Sequence, residues 1–225
     1  MRVTAVEKLK QKKNKVFIDD EYAFMLYDRD LALYHIEEEA EIPDVQYEKI
    51  LKETVIRRAR QKTIALLERM DRTESEIRHR MKLDMYSDAI ADEVVQWLKS
   101  LHYLDDERYA ENFIRGHFTS SSRQELFAKL FAKGISKDMC ARAYEVCSEE
   151  SAFGSGQNSD LSDPEQEAAL RTLSKKLGSK RVLTPKERMS TIGYMMRKGF
   201  RRNEIMNAFE TLEISIDYTD VPEDN

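Results

Sequence analysis

The sequence predicts a mainly α-helical protein. Three tandem three-helix repeats form an elongated, curved array behind a small N-terminal cap that contains a β-hairpin. Three observations predict it. From about residue 56 the apolar residues recur at helical spacing and not in alternation. Glycine and proline are scarce, 7 and 4 in 225 residues, which disfavours a turn-rich β-sandwich or barrel. Two segments, KLFAKGI (129–135) and YMMRKGF (194–200), align without a gap, as internal repeats do.

The cap spans residues 1–55. Val3, Thr4, Ala5 and Val6 read as a short strand. VFIDDEYAFML places β-forming residues on both sides of Asp19, Asp20 and Glu21, so a hairpin turns at the acids. A brief helix is expected from Asp30 to Ile36, a break at Pro43, and Asp44 as the cap of the helix entering the main body.

Repeat 1 covers 56–104. Its apolar stripes are Ile56, Ala59, Thr63, Leu66, Leu67 and Met70, then Ile77 and Met81, then Ile90, Val94, Trp97, Leu98 and Leu101. Thr73 with Glu76 makes a capping box, and Ser87 caps the third helix. Repeat 2 covers 105–150. Tyr109, Ala110, Phe113, Ile114 and His117 mark one helix, Leu126 and Leu130 the next, and Met139, Ala143, Tyr144 and Cys147 the last. Residues 151–163, SAFGSGQNSDLSD, have the composition of a flexible linker.

Repeat 3 covers 164–213. It begins with Ala169, Leu170, Leu173 and Leu177. Thr184, Pro185 and Glu187 start a second helix carrying Met189, Ile192 and Met196; Ile205, Ala208, Phe209 and Leu212 follow. Gly134 and Gly199 supply the left-handed residue of a Schellman stop, with Ile135 and Phe200 as its apolar contact. Repeat 1 has Met85 at the equivalent place. A triplet of this size is weakly stable alone, so neighbours must share buried surface. Residues 214–225 form an acidic, frayed tail.

The motifs of common enzyme chemistry are missing. Neither GxGxxG, GxxxxGK[ST] nor GxSxG occurs, so no phosphate cradle for ATP hydrolysis and no nucleophile elbow is expected. His35 and Glu37 match half of a zinc-deaminase motif, but the PCxxC half is lacking. His35, His79, His102 and His117 have no ligand spacing. The expectation is no catalytic residue, no cofactor and no metal. Cys140 and Cys147 lie roughly 10 Å apart along one helix, too far to bridge, and read as buried thiols of a reducing compartment. Asp105 and Asp106 read as helix-capping acids. Without an apolar run long enough to span a bilayer or serve as a signal, the expected location is the cytoplasm. Without a long heptad seam, the expected state is a monomer.

The net charge is −5, so contact with an acidic partner must come from local patches. Repeat 1 offers Arg57, Arg58, Arg60, Lys62, Arg69, Arg72, Arg78, Arg80 and Lys82. Repeat 3 offers Lys175, Lys176, Lys180, Arg181, Arg197, Lys198, Arg201 and Arg202 around two helix ends. A solvated face and helix-dipole complementation explain part of this clustering; contact with phosphates or an acidic protein surface is the functional reading. Trp97, Tyr103, Tyr109 and Phe113 sit on apolar stripes and read as core.

The stretch LHYLDDERYAENFIRG, with Tyr103, Leu104, Asp105, Asp106, Arg108, Tyr109 and Ala110, resembles the signature of the RecX family. ALLERMDRTESEIRHRM, KLFAKGIS and MMRKGF resemble it too, in the right order, over roughly residues 58 to 212. VFIDDEYAF resembles the leading segment of longer members, departing at Asp20, where a turn glycine is expected. The 151–163 linker is longer and more polar than is usual for the family. The resemblance implies tandem three-helix repeats that bind along the groove of the RecA–single-stranded DNA filament. They restrain its growth, ATPase and strand exchange by occupancy and not by catalysis. The candidate contacts to RecA or DNA are then Arg57, Arg58, Arg60, Arg69, Arg72, Arg78, Arg80, Lys180, Arg181, Arg197, Lys198, Arg201 and Arg202. Leu104, Asp105, Tyr109 and Ala110 are assigned to the fold. Two other readings stay open: a stand-alone nucleic-acid-binding helical module, and a helical scaffold for another partner.

Overall fold

A computed structural model describes residues 1–154 and 163–217. Its first compact unit is Met1–Asp106. The strands β1 (Val3–Lys8), β2 (Lys13–Ile18) and β3 (Glu21–Tyr27) form an antiparallel sheet in the order β1-β2-β3. The β2–β3 turn falls at Asp19 and Asp20, both at positive φ (50° and 68°), the conformation a two-residue hairpin loop requires. Asp19 is tied to Arg2, whose amide donates to its carboxylate at 2.8 Å. In β2 the residues Asn14, Val16 and Ile18 point inward, the period-2 pattern of a half-buried strand.

The short helix α1 (Asp28–Tyr34) leads to α2 (Asp44–Lys49), a π-helical segment (Ile50–Ile56) and α3 (Arg57–Leu67). The last three form one uninterrupted run, since Ile50 and Arg57 at the two junctions have α-helical φ/ψ. Pro43 occupies the N-cap and Asp44 the first helical position, so Asp44 is not the cap. The boundary expected at residue 55 therefore lies inside a helix. The π segment explains why it was misplaced. Its wider turn brings i and i+5 onto one face, and the buried pair is Ile50 and Val55. A reading at period 3.6 loses phase there and recovers at Ile56.

Completing the unit are α4 (Glu74–Leu83) and α5 (Asp88–Ser100). The capping box forms as expected, with Glu76 N donating to Thr73 Oγ1 (3.3 Å) and Thr73 N to Glu76 Oε2 (3.1 Å). One continuous core joins cap and first triplet, including Val16, Phe24 and Leu26 of the sheet with Ile50, Ala59, Ile77, Val94 and Leu98 of the helices. Each such side chain contributes roughly 1.5–3 kcal/mol on burial, so the sheet and triplet stabilise each other. Met70 and Leu101, expected on the stripes, are exposed beyond the ends of their helices.

The second compact unit, Glu107–Asn225, contains the other two triplets. The first is α6 (Asp106–His117), α7 (Arg123–Ala132) and α8 (Lys137–Gly154) around Ala110, Ile114, Leu126, Leu130, Cys140 and Ala143. The second is α9 (Pro164–Leu177), α10 (Pro185–Arg197) and α11 (Arg202–Thr211) around Ala169, Leu173, Met195, Ile205 and Phe209. The Schellman stops form in all three triplets. Ile135 N reaches Leu130 O (3.1 Å), Phe200 N reaches Met195 O (3.2 Å) and Tyr86 N reaches Met81 O (3.0 Å). Met85 adopts φ 66°, so it takes the glycine's place in conformation as well as in sequence.

Four expectations are corrected here. Helix α8 continues to Gly154, so the linker expected from residue 151 begins in helix; 155–162 lie outside the described residues. The tail expected to fray from 214 instead buries Ile214 and adds β5 (Ser215–Ile216), parallel to β4 (Val182–Leu183); 218–225 lie outside the described residues. His117, placed on the first stripe of this unit, is exposed and stacks on Phe113. In α10 the stripe is out of phase: Met189 and Met196 are 69% and 55% exposed, and the inward positions are Thr191 and Met195. A threonine on the buried face and methionines on the wet one mislead a hydrophobicity pattern.

The two triplets of this unit are packed together. Ser122 Oγ donates to the Lys198 carbonyl at 2.5 Å while accepting the Glu125 amide at 3.1 Å as the N-cap of α7. Arg123 N donates to Glu165 at 3.0 Å. Gly199, at φ 92°, lets its backbone approach so closely that a Cβ there would lie 2.7 Å from Ser122 Oγ.

Candidate functional site

The thirteen candidate cations divide by what they touch. Arg58 is the most committed to the fold. Its Nη2 reaches both carboxylate oxygens of buried Asp30 (3.1 and 2.9 Å) and its guanidinium lies 4.7 Å over the Tyr27 ring. Arg60 pairs with Glu93 at 3.0 Å and lies over Trp97. Arg78 bridges Glu74 and Asp92, each at 2.6 Å, and Lys99 also reaches Glu74. Burial works against the Glu74 carboxylate, yet these hydrogen bonds hold its pKa below the ordinary carboxylate range. Arg72 is 3.7 Å from Glu76, and Arg80 is 3.4 Å from Asp84. Lys62, in the same sequence cluster, lies 3.7 Å from Asp84.

In the second unit Lys180 pairs with Glu187 (2.6 Å), Lys198 with Glu125 (3.2 Å) and Arg201 with Glu204 (3.9 Å). Arg181 donates to the carbonyls of Gly178 and Lys180. Arg57, Arg69, Arg197 and Arg202 are exposed and have no acidic partner among the described residues. The sequence clusters thus shrink to a few uncommitted cations on each unit. Salt bridges to acids near in sequence, such as Glu76, Asp84 and Glu204, and to distant ones, such as Asp30 and Glu125, occupy most of the rest, and Arg181 is held by backbone carbonyls.

Helix α9 also carries Lys175 and Lys176 into a cavity of about 480 Å³ in the second unit. Its wall includes Ser120 and Ser121 before α7, Arg171 and Thr172 of α9, Tyr194 of α10, Glu125 and Lys198. The two lysines belong to a cluster visible in the sequence. The hydroxyls and the tyrosine do not, because they come from the turn before α7 and from two helices, and carry no local pattern.

Around Glu125, burial favours the neutral acid, but Lys129 and Lys198 hold its pKa below normal. Burial pushes the Glu165 pKa up, with nearby Glu204 adding to the rise. Burial also raises the Cys140 and Cys147 thiols, which keeps them protonated and unreactive. Among the described residues no group of His, Cys, Asp and Glu could hold a metal ion, and no helix is long and apolar enough to cross a membrane.

Tandem three-helix modules bearing isolated exposed cations define a helical-repeat protein. Three family models match it in order: "RecX, first three-helix domain" over residues 59–98, "RecX, second three-helix domain" over 105–143, and "RecX, third three-helix domain" over 163–209. The chain belongs to the RecX family. A relative named regulatory protein RecX in Clostridium acetobutylicum is 25% identical over 206 residues, covering 90% of this chain and 92% of its own. Another of that name in Caldanaerobacter subterraneus is 30% identical, covering 62% of this chain and 72% of its own. A crystal structure of regulatory protein RecX superposes with a TM-score of 0.58 at 18% identity, over 93% of this chain and all of the other. RecX from Lactobacillus salivarius gives 0.54 at 18% identity, over 70% of this chain and 96% of the other. These two similarities establish the shared fold.

Proposed function

We propose that this chain is a non-enzymatic regulator of homologous recombination and DNA repair. It binds the RecA–single-stranded DNA filament in the cytoplasm and restrains filament growth, ATPase and strand exchange. Membership of the RecX family is the observation that carries this reading. Physical chemistry supports it: tandem modules convert several weak contacts into one strong one, so occupancy alone can oppose protomer addition. The contacts are sought first at the cations with no internal partner, Arg57 and Arg69 on one unit, Arg197 and Arg202 on the other. Those already paired, such as Arg78 and Lys180, would have to give up a salt bridge to engage.

The test is RecA ATPase on single-stranded DNA with substoichiometric protein. The expected result is a progressive fall in turnover. Absence of any effect at every ratio overturns the reading. Sequence-specific duplex binding without RecA would instead favour a stand-alone nucleic-acid module. Arg197→Glu with Arg202→Glu is expected to weaken inhibition and flatten its salt dependence, because each lost phosphate or carboxylate contact removes one screened charge pair.

A further inference from the structure

The cavity between α7, α9 and α10 retains donors that the fold does not use. Ser121 lines this cavity, and its hydroxyl, open to that space, has no hydrogen-bond partner among the described residues. Thr172 lines the same wall, and its hydroxyl likewise has no partner among the described residues. Two hydroxyl donors therefore face one space.

The charges of that space are also unbalanced. Among the described residues neither Lys175 nor Lys176 has an acidic partner, and Lys176 lies 5.0 Å over the Tyr194 ring. The cavity's one acid, Glu125, already accepts from Lys129 and Lys198. What remains is rich in donors, poor in acceptors and net positive. It suits an anion with several oxygens, which can accept from two hydroxyls and two ammonium groups together. A volume of about 480 Å³ exceeds the needs of a bare inorganic ion and lies in the range of small-ligand sites.

We propose that this cavity is a binding site for a phosphate ester, from either a free nucleotide or the backbone of a single nucleic-acid strand. Lys175 and Lys176 supply the charge, Ser121 and Thr172 orient the oxygens, and Tyr194 offers a flat surface to the organic remainder. The site concerns the chain alone and stands apart from its action on RecA.

The experiment follows backbone amides of the full-length, isotope-labelled chain by NMR while pyrophosphate, ATP or a short oligo-dT strand is added. Saturable shifts are expected at 120–122 and 172–176. Lys175→Gln with Lys176→Gln should weaken pyrophosphate binding about tenfold or more, equal to about 1.4 kcal/mol. Ser121→Ala should weaken it severalfold with Tm unchanged, since it deletes a hydroxyl with no internal partner. Lys137→Gln, at an exposed cation at the start of α8 and outside the cavity, should change nothing. Displacement of pyrophosphate by oligo-dT assigns the backbone as source; displacement by ATP alone assigns a free nucleotide. The proposal is overturned if none of the three probes binds saturably, or if the cavity variants bind as tightly as the parent. Equal weakening by Lys137→Gln also overturns it, because binding would then be diffuse charge attraction.

Discussion

Lys198, at the end of α10, donates to Glu125 of α7 at 3.2 Å, and its carbonyl accepts the Ser122 hydroxyl. One residue at a helix stop thus ties the last triplet to the one before it twice, by side chain and by backbone. The side-chain link predicts a coupling. Lys198→Glu and Glu125→Lys should each destabilise the second unit, and the double reversal should recover part of the loss. Both groups keep some solvent contact, so the coupling energy in urea melts is expected at only about 0.5–1 kcal/mol. Strict additivity would show the pair to be energetically idle.

Glu165 gives the same junction a pH dependence. Its carboxylate accepts the Arg123 amide, while burial first and Glu204 second push its pKa up; Arg201 opposes them. A raised carboxyl pKa means that the folded state holds the proton more tightly than the unfolded chain. This contribution is full below the unfolded-chain value and is lost as pH rises through the folded one. Stability of the second unit should therefore decline from mildly acidic towards neutral pH, and Glu165→Gln should remove that slope. Denaturation midpoints across that window provide the check, and an unchanged slope in the variant would refute the assignment.

What could be read from the sequence was local. Thr73 with Glu76, Thr184 with Glu187, and Gly134 and Gly199 specify helix ends within a few residues, and each forms as expected. Two kinds of feature were hidden. The π segment conceals the continuity of cap and first triplet, because its i to i+5 spacing belongs to no standard period. Three of the candidate cations could not be sorted, because their partners are far away in sequence: Asp30 for Arg58, Glu93 for Arg60, Glu125 for Lys198. The cavity hydroxyls were invisible for the same reason, since what marks Ser121 is a missing partner, which only packing reveals.

Gly199 tests how tightly the two triplets of the second unit are joined. Its φ of 92° is strained for any side chain, and a Cβ would lie 2.7 Å from Ser122 Oγ and 2.8 Å from Gln124 Cβ. Left-handed strain alone costs roughly 1–2 kcal/mol, and overpacking adds roughly 1–3 kcal/mol. Gly199→Ala should therefore lower stability by about 2–4 kcal/mol in denaturant melts. A loss no greater than the strain would mean that Ser122 and Gln124 move aside freely.

Arg57 and Arg58 are adjacent in sequence and opposite in role. Arg57 is exposed with no acidic partner, whereas Arg58 is mostly buried against Asp30, whose other bond accepts the Tyr27 amide at 2.9 Å. Removing the guanidinium leaves the buried carboxylate with only the exposed Arg29, 3.7 Å away, as counter-charge, a loss that typically reaches about 3–5 kcal/mol for a broken buried pair. Arg58→Ala should therefore unfold the first unit at markedly lower urea, while Arg57→Ala should stay within about 0.5 kcal/mol of the parent. Filament inhibition should show the reverse once folding is controlled. At a temperature where both variants remain folded, Arg57→Ala should lose inhibition and Arg58→Ala should keep it. Equal loss in both would mean that Arg58 leaves Asp30 to engage the partner, and its place among the fold-holding residues would have to be given up.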